Sequence, residues 1–385
     1  MTTTITLLLN GSVFAPQDLG KKDILIAGNK IIAITEPGML NDVKNIPNNS
    51  IINCDGMIIT PGFIDCHVHA TGGGGENGPT SRTPEAKLSE LIESGITSLI
   101  GVLGTDSVSR SLENLLVKIR SLQEYGLSAW MYTGAYRYPS PTITGSVMQD
   151  IILIDQVIGV GELAISDHRG SYITTPELIR LATDARVAGM LAKKSGTVYC
   201  HMGGGKQGLK PILDALDQSD LPITAFLPTH MARNDMLYDQ GKEWIAKGGF
   251  IDLTANANEE KTFSIINNYK KDNSNLGNIL ISSDAYGSFP RFNPAGKLIE
   301  IGVGKPFTLL EVLKDFINNK WPLDQSLPFF TSNVADYFGF TNKGRIRENF
   351  DADILILDKQ YSLQYVIANG RVLKTPETVQ KGFFD

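Results

Sequence analysis

Gly62-Phe63-Ile64-Asp65-Cys66-His67-Val68-His69 is an apolar run, bounded by Pro61-Gly62 on one side and by the glycine cluster Gly72 to Gly75 on the other. A run of this kind between turn formers predicts a buried strand that ends in a loop. Successive strand side chains alternate faces, so His67 and His69 point one way while Cys66 and Val68 point the other. Two imidazoles on one face can grip one metal ion. The chain has only five histidines in 385 residues, which makes their positions informative. His201 ends Val198-Tyr199-Cys200-His201, His230 ends Ala225-Phe226-Leu227-Pro228-Thr229-His230, and Asp284 ends Ile279-Leu280-Ile281-Ser282-Ser283-Asp284. Singly, each has an ordinary reading as a hydrogen-bonded core histidine or a helix-capping aspartate. Together they put four histidines and an aspartate at strand ends, an N and O donor set that suits zinc.

The opening stretch is the first of eight predicted strands: Met57 to His69, Ser98 to Leu103, Ser128 to Tyr136, Val160 to Ser166, Val198 to His201, Ile223 to His230, Phe250 to Thr254 and Ile279 to Asp284. Helical patterns follow most of them. The clearest helix starts are Thr83-Pro84-Glu85-Ala86, with Thr83 as N-cap, and Thr175-Pro176-Glu177-Leu178. Repeated β/α units predict an α/β fold, a (β/α)8 TIM-like barrel over residues 58–345 whose site lies at the carboxyl ends of the strands. Short β-like runs at both ends, with an Asn369-Gly370 hairpin turn near the carboxyl end, predict a composite β-module from residues 1–57 and 346–385.

Length agrees with this division, since a barrel of roughly 250 residues and a module of about 100 account for the chain. The formal charge of -6, from 35 basic and 41 acidic residues, gives no reason to expect a nucleic acid or a membrane surface as partner. Met1-Thr2-Thr3-Thr4-Ile5 has no basic leader pattern, and no stretch approaches a membrane span, so a cytoplasmic location is expected. Cys54, Cys66 and Cys200 show no paired spacing and read as small core residues.

These residues, with Gly72-Gly73-Gly74-Gly75-Glu76, Leu103-Gly104-Thr105-Asp106-Ser107, Thr133-Gly134-Ala135-Tyr136, Ile165-Ser166-Asp167-His168-Arg169, Thr229-His230-Met231-Ala232-Arg233 and Ser282-Ser283-Asp284-Ala285-Tyr286-Gly287-Ser288, resemble the isoaspartyl (β-aspartyl) dipeptidase family of the amidohydrolase superfamily. The resemblance spans almost the whole chain. It implies a barrel flanked by a β-sandwich from both termini, two zinc ions, and a homo-oligomer. Family members bridge the two ions with a carboxylated lysine, and here Glu162 stands at that position. A glutamate bridge offers the same two oxygens without bicarbonate, and Gly161 before it can bring the strand closer. The alternative is a structural Glu162 beside a single metal.

The implied reaction is hydrolysis of β-aspartyl dipeptides, by attack of a metal-activated hydroxide on the side-chain-linked amide. Asp284 serves as general base and then acid, and Tyr136 donates to the oxyanion. The substrate carries one ammonium and two carboxylates. Glu76 suits the ammonium, Arg169 and Arg233 suit the carboxylates, and Thr105 and Ser288 add neutral hydrogen bonds. His168 is expected to orient Arg169 or a nearby carboxylate. Gly203-Gly204-Gly205-Lys206-Gln207 lacks the hydroxyl residue of a phosphate loop and is set aside. The rival readings are an amidohydrolase acting on cyclic amides or N-acyl amino acids, and a non-catalytic protein built on the same fold.

Overall fold

Apolar alternation at the two chain ends produces a single sheet. The computed structural model describes residues 5–47, 49–256, 261–293 and 297–385, so Met1 to Thr4, read above for a leader pattern, lie outside the described residues. The first strands are β1 (Ile5–Phe14), β2 (Asp18–Ala27), β3 (Lys30–Thr35), β4 (Asn49–Asn53) and β5 (Ile58–Pro61). The middle of the chain forms β6 (Phe63–Val68), β7 (Ile96–Gly101), β8 (Ser128–Thr133), β9 (Val157–Ile165), β10 (Thr197–Met202), β11 (Phe226–Thr229), β12 (Ile251–Thr254) and β13 (Ile279–Ser282). After them come β14 (Ser288–Phe292), β15 (Leu298–Val303), β16 (Ile354–Leu357), β17 (Leu363–Ala368) and β18 (Arg371–Lys374).

β1 to β5 and β16 to β18 join in an eight-stranded sheet, ordered β18-β17-β16-β5-β1-β2-β3 with β4 on β1. Leu8, Ile24, Ile59, Ile354 and Ile367 form its own core. Asn369 and Gly370, at φ 46° and 74°, make the two-residue turn between β17 and β18.

The strand expected from Met57 to His69 is broken in two. Gly62 donates its amide to the Asp353 carbonyl at 2.9 Å, and a Cβ there would fall 2.2 Å from Thr97 Oγ1. The chain leaves the terminal sheet at this glycine and enters β6.

The middle strands are all parallel and run β11-β10-β9-β8-β7-β6 in one sheet, with β12-β13 as a second pair. The His69 amide donates to the Ala285 carbonyl at 2.9 Å, bringing the far edge round to β6. The architecture is therefore α/β, with a parallel sheet curled on itself. Ile64, Ile100, Val102, Tyr132, Tyr199, Leu227 and Leu280 fill the inside, while Leu99, Met131, Leu163 and Cys200 pack outward under the helices. Among the described residues, no helix is long and apolar enough to cross a membrane.

Three local expectations need correction. Thr83 caps no helix: the helix begins at Leu88, and the Thr83 hydroxyl accepts from the Gly73 amide and donates to the Tyr286 carbonyl, both at 2.6 Å. Thr174, not Thr175, makes the capping box with Glu177 at the start of Thr175–Ala192. Cys66 does not turn away from the inside of the sheet. The β6–β7 register shifts between Asp65 and Val68, so strict alternation lapses and Cys66 packs with Tyr132 and Tyr199. The β14–β15 hairpin, one wall of the site, was not anticipated. All three cysteines are buried and free.

Candidate metal centre

Each candidate ligand sits on or just past a parallel strand. His67 and His69 belong to the end of β6, Glu162 to β9 and His201 to β10, while His230 and Asp284 follow β11 and β13. All six are buried. Glu162 stands between two histidine pairs. Its Oε1 lies 2.7 Å from His201 Nδ1 and 3.3 Å from His230 Nε2, and its Oε2 lies 3.2 Å from His67 Nε2 and 3.8 Å from His69 Nε2. Asp284 Oδ1 joins the second pair, 3.4 Å from His67 Nε2 and 3.2 Å from His69 Nε2. Two donor sets thus share one carboxylate.

Local backbone explains how a glutamate reaches this place. In the β9–β10 ladder Val198 and Cys200 face Val160 and Leu163, so β9 carries an extra residue at Gly161-Glu162. A Cβ on Gly161 would lie 2.7 Å from the Tyr199 carbonyl oxygen, so only glycine permits this approach of β9 to β10. His230 and Asp284 adopt left-handed backbone, at φ 60° and 50°. That conformation costs a residue with a Cβ about 1–2 kcal/mol, and such strain tends to gather where a site requires a fixed side-chain direction.

The electrostatics call for added positive charge. Among the described residues, His67 Nδ1 and Nε2, His69 Nδ1, Glu162 Oε2 and Asp284 Oδ1 are buried without a hydrogen-bond partner. Atoms of this kind are rare in native interiors unless another group satisfies them. Burial opposes a proton on His67, but the Glu162 and Asp284 carboxylates outweigh it and lift its pKa to about 10. Burial likewise opposes ionisation of Glu162, and His67 and His201 outweigh it, holding the carboxyl well below its ordinary value. His230 moves the other way, pushed down to about 3 by burial, Arg233 and His201. A buried set of N and O donors that forces a proton onto one of its own imidazoles fits divalent cations with a taste for both donor types.

The cluster opens into a cleft of about 940 Å³ whose lining includes Thr105, Tyr136, Arg169, Arg233 and Ser288. Glu76 reaches it from the glycine loop. Its Oε1 accepts from Ser288 at 2.7 Å, from Thr105 at 3.3 Å and from Arg169 Nη1 at 3.3 Å, while Oε2 is buried with no hydrogen bond among the described residues. Arg169 is already held, since its Nε and Nη2 donate to Asp167 at 3.0 and 2.8 Å. Arg233 is exposed on the cleft wall. The Tyr136 hydroxyl lies 2.8 Å from His201 Nδ1. Burial, reinforced by Glu162, holds this phenol well above its ordinary pKa, so it stays a donor.

The exposed His168 side chain places its Nδ1 3.7 Å from Oδ1 of the neighbouring Asp167 carboxylate. Asp167 itself holds Arg169, and its Oδ2 also lies 3.2 Å from His201 Nε2. The aspartate stood in the motif with Arg169 but was given no role. Thr254, whose hydroxyl is 2.6 Å from His230 Nδ1, was missed, as was Arg110, whose Nη2 holds the glycine loop through the Gly73 and Thr83 carbonyls at 3.1 and 2.8 Å.

The amidohydrolase family model matches residues 58–384. The chain belongs to the amidohydrolase family. It is a hydrolase, and the resemblance read from its motifs is borne out. Among solved structures it is similar to a beta-aspartyl dipeptidase from Fervidobacterium islandicum AW-1, in complex with a beta-Asp-Leu dipeptide. The two are 40% identical, the match covers 99% of this chain and 100% of that one, and the TM-score is 0.93. A D-hydantoinase from Thermus sp., 14% identical over 98% of this chain and 97% of that one at TM-score 0.70, shares the fold. A dihydroorotase from Listeria monocytogenes serotype 4a is 22% identical over 402 residues, 91% of this chain and 88% of that protein.

Proposed function

We propose that this amidohydrolase is a β-aspartyl dipeptidase with two zinc ions bridged by Glu162. The observation that carries the substrate reading is Glu76: a carboxylate beside the donor cluster, with one buried oxygen lacking a hydrogen bond among the described residues, suited to a substrate ammonium. The Fervidobacterium islandicum enzyme, crystallised with beta-Asp-Leu, supports it. The split of Glu162 between two histidine pairs supports the bridge.

His67, His69 and Asp284 would hold one ion and His201 and His230 the other. Bound there, the ions supply Lewis acidity and a water of lowered pKa. Asp284, at the inner end of the cleft, takes the proton of the attacking water and returns it to the leaving amine. Tyr136 turns its hydroxyl from His201 to the developing oxyanion. Glu76 receives the α-ammonium, Arg169 and Arg233 the two carboxylates, and Thr105 and Ser288 steady Glu76. In this reading residues 58–345 form a closed (β/α)8 barrel and residues 1–57 with 346–385 a β-sandwich, to which Ile58–Pro61 also contributes. The protein works in the cytoplasm as a homo-oligomer on a small dipeptide.

The rival reading, a cyclic-amide hydrolase, draws on the dihydroorotase and hydantoinase likenesses. A substrate panel separates the two. Turnover of β-aspartyl dipeptides with none of dihydroorotate or hydantoin supports the proposal, and the reverse pattern rejects it.

A further inference from the structure

β12 contributes no candidate ligand, yet it lies at one of the two breaks in the parallel sheet. Among the described residues β11 and β12 share no ladder, and the Met231 amide reaches the Asp252 carbonyl only at 3.4 Å. His201 and His230 belong to strands on one side of this seam, and Asp284 follows β13 on the other. Across this seam the relative placement of these three residues therefore draws little on backbone pairing.

The Asp252 carboxylate supplies one. It is fully buried, and its Oδ2 accepts three hydroxyls: Tyr199 at 2.8 Å, Thr229 at 2.6 Å and Ser282 at 2.7 Å. Tyr199 lies on β10, Thr229 on β11 and Ser282 on β13, so a single oxygen spans the seam. Each donor also precedes a candidate ligand by one or two residues: Tyr199 before His201, Thr229 before His230, Ser282 before Asp284. The Tyr199 ring packs edge-on against His67 at 5.2 Å, which places this hydroxyl layer against the ligand layer. Two residues further along β12, Thr254 holds His230 through Nδ1.

We infer that Asp252 is a positioning residue for the metal centre, fixing His201, His230 and Asp284 across the β11–β12 seam through the three hydroxyls on its Oδ2. The inference rests on the metal reading proposed above. Losing an outer partner of a metal ligand typically weakens metal affinity by about 10–100-fold, and a carboxylate serving three ligand strands belongs in that range.

The test is competition of zinc against a chelator, with thermal melting of the metal-free protein alongside. The variants are Asp252→Ala, Asp252→Asn, Thr229→Val and Ser282→Ala, with Ile100→Ala as a control from the same interior far from the seam. Asp252→Ala is expected to weaken zinc binding at least tenfold, and Asp252→Asn less, because an amide oxygen can still accept. Thr229→Val and Ser282→Ala, which leave the carboxylate in place, are expected to lose about threefold or more each. Ile100→Ala should melt earlier yet keep zinc affinity. If Asp252→Ala does not fold, the two hydroxyl variants decide. Zinc affinity within twofold of wild type in both, or an equal loss in Ile100→Ala, overturns the inference. Failure of the wild-type protein to bind zinc overturns the metal reading itself, and the inference with it.

Discussion

Arg169 Nη1 lies 3.3 Å from Glu76 Oε1, so the two charges proposed for opposite ends of an aspartyl head group face each other across the cleft. A zwitterion with adjacent ammonium and carboxylate can enter by exchanging partners with this pair, ammonium to Glu76 and carboxylate to Arg169. The exchange keeps both buried charges compensated throughout. Asp167 keeps the guanidinium in place meanwhile.

Replacing Glu76 by Gln should therefore cost most where the ammonium is present. A hydrogen bond to a charged group contributes about 1.5–3 kcal/mol, which corresponds to roughly 10–100-fold in kcat/KM for β-aspartyl dipeptides. The same substitution should change turnover of N-acetylated analogues much less. Steady-state kinetics on both substrates checks this, and equal losses would remove Glu76 from ammonium recognition.

Glu162→Ala removes the carboxylate shared by the two donor sets. Metal analysis should find two zinc ions per chain in the wild type and one or none in the variant, and depletion of bicarbonate should leave the wild type unchanged. Two ions retained by Glu162→Ala would sink the bridge.

Gly161→Ala tests the bulge that carries Glu162 inward. The new methyl meets the Tyr199 carbonyl oxygen at 2.7 Å. Overpacking of this kind costs about 1–3 kcal/mol, and β9 must move away from β10 to relieve it. A lower melting temperature together with weaker zinc binding is expected. A variant that melts and binds zinc as the wild type does would show that the close approach is unnecessary.

Away from the site, Lys343 Nζ lies 2.9 Å from Asp351 Oδ2 and 2.7 Å from Asp353 Oδ2, beside the terminal sheet. Burial opposes its charge, but Asp353 and Asp351 outweigh it and hold the ammonium above its ordinary 10.5. A raised pKa means the stabilisation is complete below the unfolded value and is lost as pH climbs through the folded one. Lys343→Met, which takes the cation from buried Asp353 while Asp351 keeps Lys30 at 2.7 Å, should destabilise by about 3–5 kcal/mol near neutrality. Denaturant unfolding should show the gap between wild type and variant narrowing as pH climbs above the ordinary value of 10.5. A gap that stays unchanged far above that value would contradict this assignment.

The candidate metal ligands were legible because their signal is local. His67, His69, His201, His230 and Asp284 each interrupt or end an apolar run, and strand periodicity places them on a common rim. Glu162 gave a weaker sign, a glycine before it and a position in a motif, since a bulge leaves no mark on periodicity. Asp252 and Thr254 gave none, because their partners come from strands far away in sequence and only the folded sheet brings them together. Thr83 misled because Thr-Pro-Glu looks the same whether its hydroxyl caps a helix or ties down a loop. Cys66 misled because alternation was assumed across a register shift. The break at Gly62 was hidden in a continuous apolar stretch, where two sheets need the same residue types on either side.

The proposed enzyme is a zinc-dependent hydrolase selective for the side-chain-linked aspartyl amide. Its most direct test is hydrolysis of β-aspartyl-leucine beside α-aspartyl-leucine by zinc-loaded protein, with a chelated control. The expected result is cleavage of the β-linked dipeptide, little of the α-linked one, and loss of both on chelation. Equal cleavage of the two linkages, or none of the β-linked peptide by a protein that has bound its zinc, would contradict it.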